Sequence, residues 1–433
     1  MLKAIRRTLA SRHNVRAHFW QSLANYTQAG GGMLLGIILA RLLEPAVFGE
    51  FVFITASLAF LMIPASFSTA QLLITDAGRT PDLFNRVLGV ATVVAIIKAL
   101  ILISFASISV WQGDLLRATV AMIVGLPLVF ADVLLSLRYD LEGQGIFKQN
   151  FYLQAADLTV HGSVAVALIL KGYGIYGLAG GGLAGFLTQA FCYSRLCRSR
   201  LASFTLDWKT VFNQFRTGFW LWLGSVSSSW YSRVDKILLG HFGTTVELGY
   251  YNRAMNYGPI SHVLLNSMMT NPTIRALSVA HESEVKRRLF LKTMAILIVA
   301  ACVNGVFWHL FAEPIVPLVF GKQWQPAAES FAILGWLGIP YCLLFGSAAM
   351  LYSAGRYVTI ALIYTLAFLL LVSLLSLRGL VSVLTSVDTS VIYCVSMMFG
   401  GILMLIVALL SLNHTSCVEE HLKHRLKPED AQS

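Results

Sequence analysis

The chain has 433 residues, 57% of them hydrophobic and only 12% charged, where a soluble domain carries roughly 25% charged residues. Its net charge of +11 comes without a zinc finger, an RNA-binding signature or a long basic helix, so nucleic acid is excluded as a partner. Apolar runs of about 20 residues recur throughout, enough to cross a hydrocarbon layer of roughly 30 Å, whereas barrel strands are about 10 residues long and alternate. The fold class is all-α, a polytopic membrane protein.

Residues 1–20 hold Lys3, Arg6, Arg7, Arg12 and Arg16 and are expected to form a basic cytoplasmic segment. The apolar run behind them continues to Arg41 and Glu44 without a small-residue cleavage pattern, which favours a retained first span over a signal peptide. Ile5, Leu9 and Phe19 offer an alternative for this segment, an amphipathic helix lying on the membrane surface. Spans are expected at 21–40, 51–74, 87–110, 115–137, 151–170 and 173–193. After a basic linker they resume at 217–240, 248–272, 289–312, 327–350, 357–377 and 389–412, giving about 12 transmembrane helices.

With both termini inside, most of the 32 Lys and Arg fall in cytoplasmic segments. The outside links hold only Arg41, Arg117, Lys171, Lys322 and Arg378. This positive-inside bias favours an even number of spans.

The sequence also repeats. A shift of 200 lays residues 36–51 (GIILARLLEPAVFGEF) on 236–251 (KILLGHFGTTVELGYY), and a shift of 210 lays 141–147 (LEGQGIF) on 351–357 (LYSAGRY). A duplicated six-span unit is the expected organisation: lobes at 21–193 and 217–412, a linker at 194–216 and a tail at 413–433. Because six is even, the two copies are expected in parallel orientation about an axis along the membrane normal, with a central cleft between them.

No GxSxG, HExxH or GxxxxGK[ST] motif is present, so neither hydrolysis nor ATP use is indicated. The six cysteines show no CxxC or metal-ligand spacing and are read as small apolar fillers. GYGIYG at 172–177 fits GxGxxG but has no strand before it; with Gly180, Gly181, Gly182 and Gly185 it reads as a device for close helix packing.

Charges inside spans are costly and tend to face water or a partner. Span seven carries Trp230, Arg233, Asp235 and Lys236; Arg233 and Lys236 share a helix face and could contact an anion together, or snorkel to the surface with Asp235 compensating. Span eight adds Arg253 and Tyr257 on a polar-aromatic stripe with Tyr250, placed for a headgroup or phosphate contact. Asn25 and Gln28 of span one line an opposing wall or bond neighbouring helices. Lys98 of span three is an isolated cation with Asp132 of span four as a partner. Asp157 and His161 of span five, one turn apart, suit either proton sharing or a structural hydrogen bond. The substrate-binding candidates are therefore Arg233, Lys236, Arg253, Lys98, Tyr257, Trp230, Asn25 and Gln28. The ion-coupling candidates are Asp157, His161, Asp132 and Asp235, served by an H+ or Na+ gradient; no metal or other cofactor is expected.

Three segments carry a family likeness: ANYTQAGGGMLLGIILARLLEPAVFGEFVF, SRVDKILLGHFGTTVELGYYNRAM and PIVPLVFGKQWQPAAESFAILGWLG. They resemble the bacterial polysaccharide transporter branch, the Wzx-like flippases, of the multidrug/oligosaccharidyl-lipid/polysaccharide exporter superfamily. The resemblance implies two six-helix lobes in a V-shaped, MATE-like arrangement. It implies transport rather than catalysis: an undecaprenyl-diphosphate-linked oligosaccharide moved from the cytoplasmic to the periplasmic leaflet by alternating access, for O-antigen, capsule or exopolysaccharide. It further implies residence in the bacterial inner membrane, contact with membrane lipid, a functional monomer, and association with a polymerase and a chain-length regulator. Two alternatives stand beside it. A multidrug antiporter shares the fold but favours an acidic or apolar cavity; a polysaccharide polymerase usually carries a sizeable external loop, and no external link here exceeds about 16 residues.

Overall fold

A computed structural model of the chain describes residues 2–66, 81–197, 208–260 and 283–425. Among the described residues every regular element is helical. Spanning segments satisfy their own backbone groups only as helices or closed barrels, and these apolar runs lack strand alternation. The chain divides into two compact units, Met1–Trp222 and Leu223–Ser433.

The first unit contains α1 (Leu2–Leu42), α2 (Pro45–Met62), α3 (Pro81–Trp111), α4 (Leu115–Gly143), α5 (Phe147–Leu170) and α6 (Ile175–Leu196). The next helix, α7 (Trp208–Phe242), runs on into the second unit. There follow α8 (Thr245–Tyr257), α9 (Ser283–Phe320), α10 (Ala328–Leu334), α11 (Gly338–Tyr341), α12 (Ser347–Ser353), α13 (Tyr357–Val381) and α14 (Ser386–Arg425). Among the described residues, nine segments are long and apolar enough to cross a membrane. The more polar α1 and α7 and the short α8 occupy the places of expected spans one, seven and eight.

Three elements differ from expectation. Nothing separates a basic segment from the first span: α1 is one helix of 41 residues, about 60 Å at roughly 1.5 Å per residue. No Gly or Pro occurs before Gly30 to interrupt it. The second span leaves the α-helix at Met62, where Pro64 sits in a 3-10 turn, Ile63–Ala65. The tenth expected span is broken twice, by a 3-10 turn at Gly335–Leu337 and a π turn at Cys342–Gly346. Gly335, Gly338, Pro340 and Gly346 crowd that stretch, and each weakens a helix. Buried Asn304 of α9 bridges one break, its amide donating to the Gly335 and Gly258 carbonyls at 2.8 Å each. Residues 67–80, 198–207, 261–282 and 426–433 lie outside the described residues, and with them His262, Asn266, Pro272 and the ends of expected spans two and eight.

The repeat is visible in the turns. α1 and α2 are joined by Leu43 and Glu44, α7 and α8 by Gly243 and Thr244, in register at a shift of 200. At a shift of 210, Gly145 and Gly355 both adopt positive φ, +76° and +69°, behind the ends of α4 and α12. In each turn a 6→1 bond closes the helix, Ile146 N–H to Leu141 O at 2.9 Å and Arg356 N–H to Leu351 O at 3.0 Å. Such turns need glycine, because a Cβ is strained in the left-handed region.

Within the first unit, α5 lies along α6, and α1 along α5. Lipid tails are as apolar as leucine, so close backbone approach matters more than hydrophobic burial here. α6 provides it with Gly177, Gly181 and Gly185: a Cβ on Gly181 would stand 2.6 Å from the Ala165 Cβ and 2.8 Å from the His161 carbonyl. Across α2, α3, α4 and α6, Ile54, Leu58, Met62, Ala95, Leu102, Val120, Val129 and Ala179 form a core cluster.

Candidate functional site

The polar residues of the spans gather in distinct places. In the first unit, buried Lys98 of α3 forms an ion pair with Asp132 of α4. The Ser66 hydroxyl, just past the α2 break, donates to the same Asp132 oxygen at 3.3 Å.

A second line runs along α5. Asn150, Gln154, Asp157 and His161 share one face at i, i+4, i+7 and i+11, against Tyr193, Gln189 and Gly185 of α6. At the start of α5 Tyr193 donates to Asn150 at 2.7 Å, and the Asn150 amide donates to Glu142 Oε1 at 2.8 Å. Arg138 donates to that oxygen at 2.9 Å. Further along, Gln189 hydrogen-bonds Asp157. Asp157 and His161 are thus part of a longer polar seam. The spacing of Asn150 and Gln154 carried its signal, which only the Asp157–His161 half had suggested. Asn25 and Gln28 stand exposed on α1.

The second unit holds the α7 cations. Arg233 Nη1 donates to Ser229 O and to Ser232 Oγ, both at 3.2 Å. Lys236 Nζ donates to Ser232 O at 2.8 Å and to Asp235 Oδ2 at 3.2 Å. Both side chains therefore reach back toward the middle of α7, away from its end at Phe242, in line with the backward tilt of helical side chains. Arg233 and Lys236 are half-buried, and Trp230 packs on Phe368 with centroids 5.7 Å apart.

Asp235 is fully enclosed, at 0% exposure. It accepts from Tyr251 Oη at 2.6 Å, besides Lys236. Tyr231 and Tyr393, 5.0 Å apart, belong to the same buried group, and Tyr231 donates to the Tyr393 carbonyl at 3.3 Å. The carboxylate thus fixes Lys236 against a tyrosine-lined interior. That enclosure was not readable from α7 alone, because Tyr251 and Tyr393 come from α8 and α14.

Arg253 occupies different surroundings. It is buried, its guanidinium lies 5.4 Å from the Trp324 ring centroid, and Tyr257 hydrogen-bonds it. Tyr257 in turn meets Phe320 edge-on at 4.9 Å. These contacts tie α8 to the end of α9 and the turn beyond it.

Against this geometry, a family of proteins described as "Polysaccharide biosynthesis protein" matches residues 38–329. The chain belongs to this polysaccharide biosynthesis family. The matched range takes in the α7 cations, Lys98, Asp132 and the α5 seam. Comparison with curated proteins returns no match.

The family member's fold is that of MATE transporters. It is similar to an inward-facing multidrug resistance MATE family transporter of the MOP superfamily, with TM-score 0.64 and 14% identity, over 92% of this chain and 98% of that one. A MATE in complex with MaD3S (0.61, 14% identity) and a MATE in the straight conformation (0.60, 14% identity) each match over 93% of this chain and 96% of theirs. Family and fold together give a polysaccharide biosynthesis protein on a MATE-type fold.

Proposed function

We propose that the protein moves undecaprenyl-diphosphate-linked oligosaccharide repeat units from the cytoplasmic to the periplasmic leaflet of the bacterial inner membrane. The observation that carries this reading is the polysaccharide biosynthesis match on a transporter fold. A diphosphate and its sugars cannot cross hydrocarbon unaided, since an unpaired charge there costs far more than thermal energy. Arg233 and Lys236 offer an inward-reaching cationic face on α7 for the diphosphate. With hydrolytic motifs lacking from the sequence, an H+ or Na+ gradient supplies the driving force, through carboxylates such as Asp157 and Asp132.

Depleting the protein in its host tests this. Lipid-linked repeat units should then accumulate in the cytoplasmic leaflet, beyond the reach of an impermeant saccharide-cleaving enzyme in spheroplasts. An unchanged leaflet distribution would end the proposal.

A further inference from the structure

Where α1 meets the start of α5, four aromatic side chains and one lysine form a patch. Trp20 lies 5.5 Å from Phe151 and 6.1 Å from Tyr152, centroid to centroid, and Phe19 meets Trp20 edge-on at 5.5 Å. Phe19 and Tyr152 are 58% and 54% exposed. The Lys148 ammonium stands over two of these rings, 5.8 Å from the Trp20 centroid and 5.9 Å from that of Tyr152. Ring faces attract a cation placed so, and its N–H donors stay open to another group.

That group is not an acid of this chain. Among the described residues no carboxylate pairs with Lys148. The acids that end α4, just before it in sequence, are engaged: Glu142 with Arg138 and Asn150, Asp140 with Gln144. In α1 the first acidic residue of the chain, Glu44, has not yet been reached. The helix extends about 27 Å beyond Trp20, at roughly 1.5 Å per residue, and carries Lys3, Arg6, Arg7, Arg12 and Arg16 there. Charge at this corner of the first unit calls for an anion.

Depth narrows what the anion is attached to. The 24 residues of α5 span about 36 Å, so its first turn, with Lys148, stands at headgroup level beside a hydrocarbon layer of roughly 30 Å. Tyr152 lies one turn further in, with Trp20 beside it. From the hydrocarbon outward the patch offers ring faces and then an ammonium. A polyprenyl diphosphate presents isoprene units and then phosphates, in that order. It also concentrates at least two negative charges at the depth where a phosphatidylglycerol headgroup has one.

Resting on the lipid-linked substrate proposed above, we infer that this patch is a docking site for the polyprenyl diphosphate end of that substrate, in addition to the α7 cations. Lys148 donates to the diphosphate, and the Trp20 and Tyr152 rings lie against the first isoprene units. With the start of α5 on the cytoplasmic side, as the positive-inside bias expects, the site receives substrate from the leaflet it leaves.

The test uses the full-length protein in phosphatidylcholine nanodiscs, with undecaprenyl diphosphate and phosphatidylglycerol as probes at equal mole fraction. Native mass spectrometry measures how strongly each is retained. Wild type should retain undecaprenyl diphosphate at least tenfold more strongly than phosphatidylglycerol. Lys148→Gln should lower that retention about tenfold, the scale of one charge-assisted hydrogen bond, and Lys148→Arg should keep it. Tyr152→Leu should lower it about threefold, the scale of one aromatic contact. Arg195→Gln, which removes another exposed cation over an exposed ring, Phe191 of α6, should leave it unchanged. Both Lys148 and Tyr152 are exposed, so their variants should fold, which melting temperature checks.

Equal losses of both lipids in Lys148→Gln would make the patch a general anchor for anionic lipid and overturn the site. Undiminished retention of undecaprenyl diphosphate in Lys148→Gln and Tyr152→Leu would overturn the site and leave the proposed function standing. A wild type that retains neither lipid above the other would overturn the site and the lipid-linked substrate together.

Discussion

Arg233 and Arg253 carry the same charge on consecutive helices, and their surroundings differ. Arg233 is half-buried and bonds only neutral oxygens of its own helix, Ser229 O and Ser232 Oγ, contacts that an anionic ligand can replace. Arg253 is enclosed between Trp324 and Tyr257. Replacing Arg233 with alanine should slow transport about tenfold, the scale of one lost charge-assisted contact, while membrane insertion and melting temperature hold. Replacing Arg253 with alanine should instead lower stability, by about 2 kcal/mol for a desolvated cation–π contact, read as a reduced melting temperature in detergent. A normal melting temperature for the Arg253 variant would return it to the list of ligand contacts. The sequence made both arginines visible, because charge is rare in spans. It could not separate them: Trp324 stands some seventy residues from Arg253 along the chain. The pairing of Lys98 with Asp132 was easier to read, since they are opposite charges in adjacent antiparallel spans.

At the scale of elements, small residues decide where helices stop and how closely they approach. Gly145 and Gly355 occupy equivalent turns with positive φ, so alanine at either should cost about 1–2 kcal/mol in thermal unfolding. Gly30 and Gly32 lie mid-helix with open space at the Cβ position, and alanine there should be neutral or stabilising by up to about 1 kcal/mol. Gly181→Val tests the α5–α6 seam; overpacking of about 1–3 kcal/mol should cut the yield of folded protein, where Gly182→Val, beside open space, should not. Equal yields would mean that the seam is not the close approach described. These turns were legible as repeated spelling at shifts of 200 and 210. The broken tenth span was half legible: its glycines and Pro340 stand in the sequence, but the Asn304 amide that serves the break comes from α9, and no local pattern announces it. The length of α1 was missed for the opposite reason. A change from basic to apolar composition marks a membrane boundary, which a helix without Gly or Pro simply passes through.

For the whole molecule, composition and the positive-inside bias were enough to establish a polytopic helical protein, and the family match sets it in polysaccharide biosynthesis. The surroundings of the polar side chains were only partly legible, because a span's polar residues look alike until their neighbours are known. Asp235, enclosed by tyrosines, shows this as clearly as Arg253 does. The most direct test is translocation by the purified protein alone. Liposomes containing it would be loaded with a fluorescent polyprenyl-diphosphate oligosaccharide in both leaflets, and the outer pool removed by an impermeant glycosidase. The account predicts that the protected half then becomes accessible at a rate that scales with protein per vesicle and falls about tenfold in Arg233→Ala. A protected pool that persists as in protein-free vesicles, under both H+ and Na+ gradients, would contradict it.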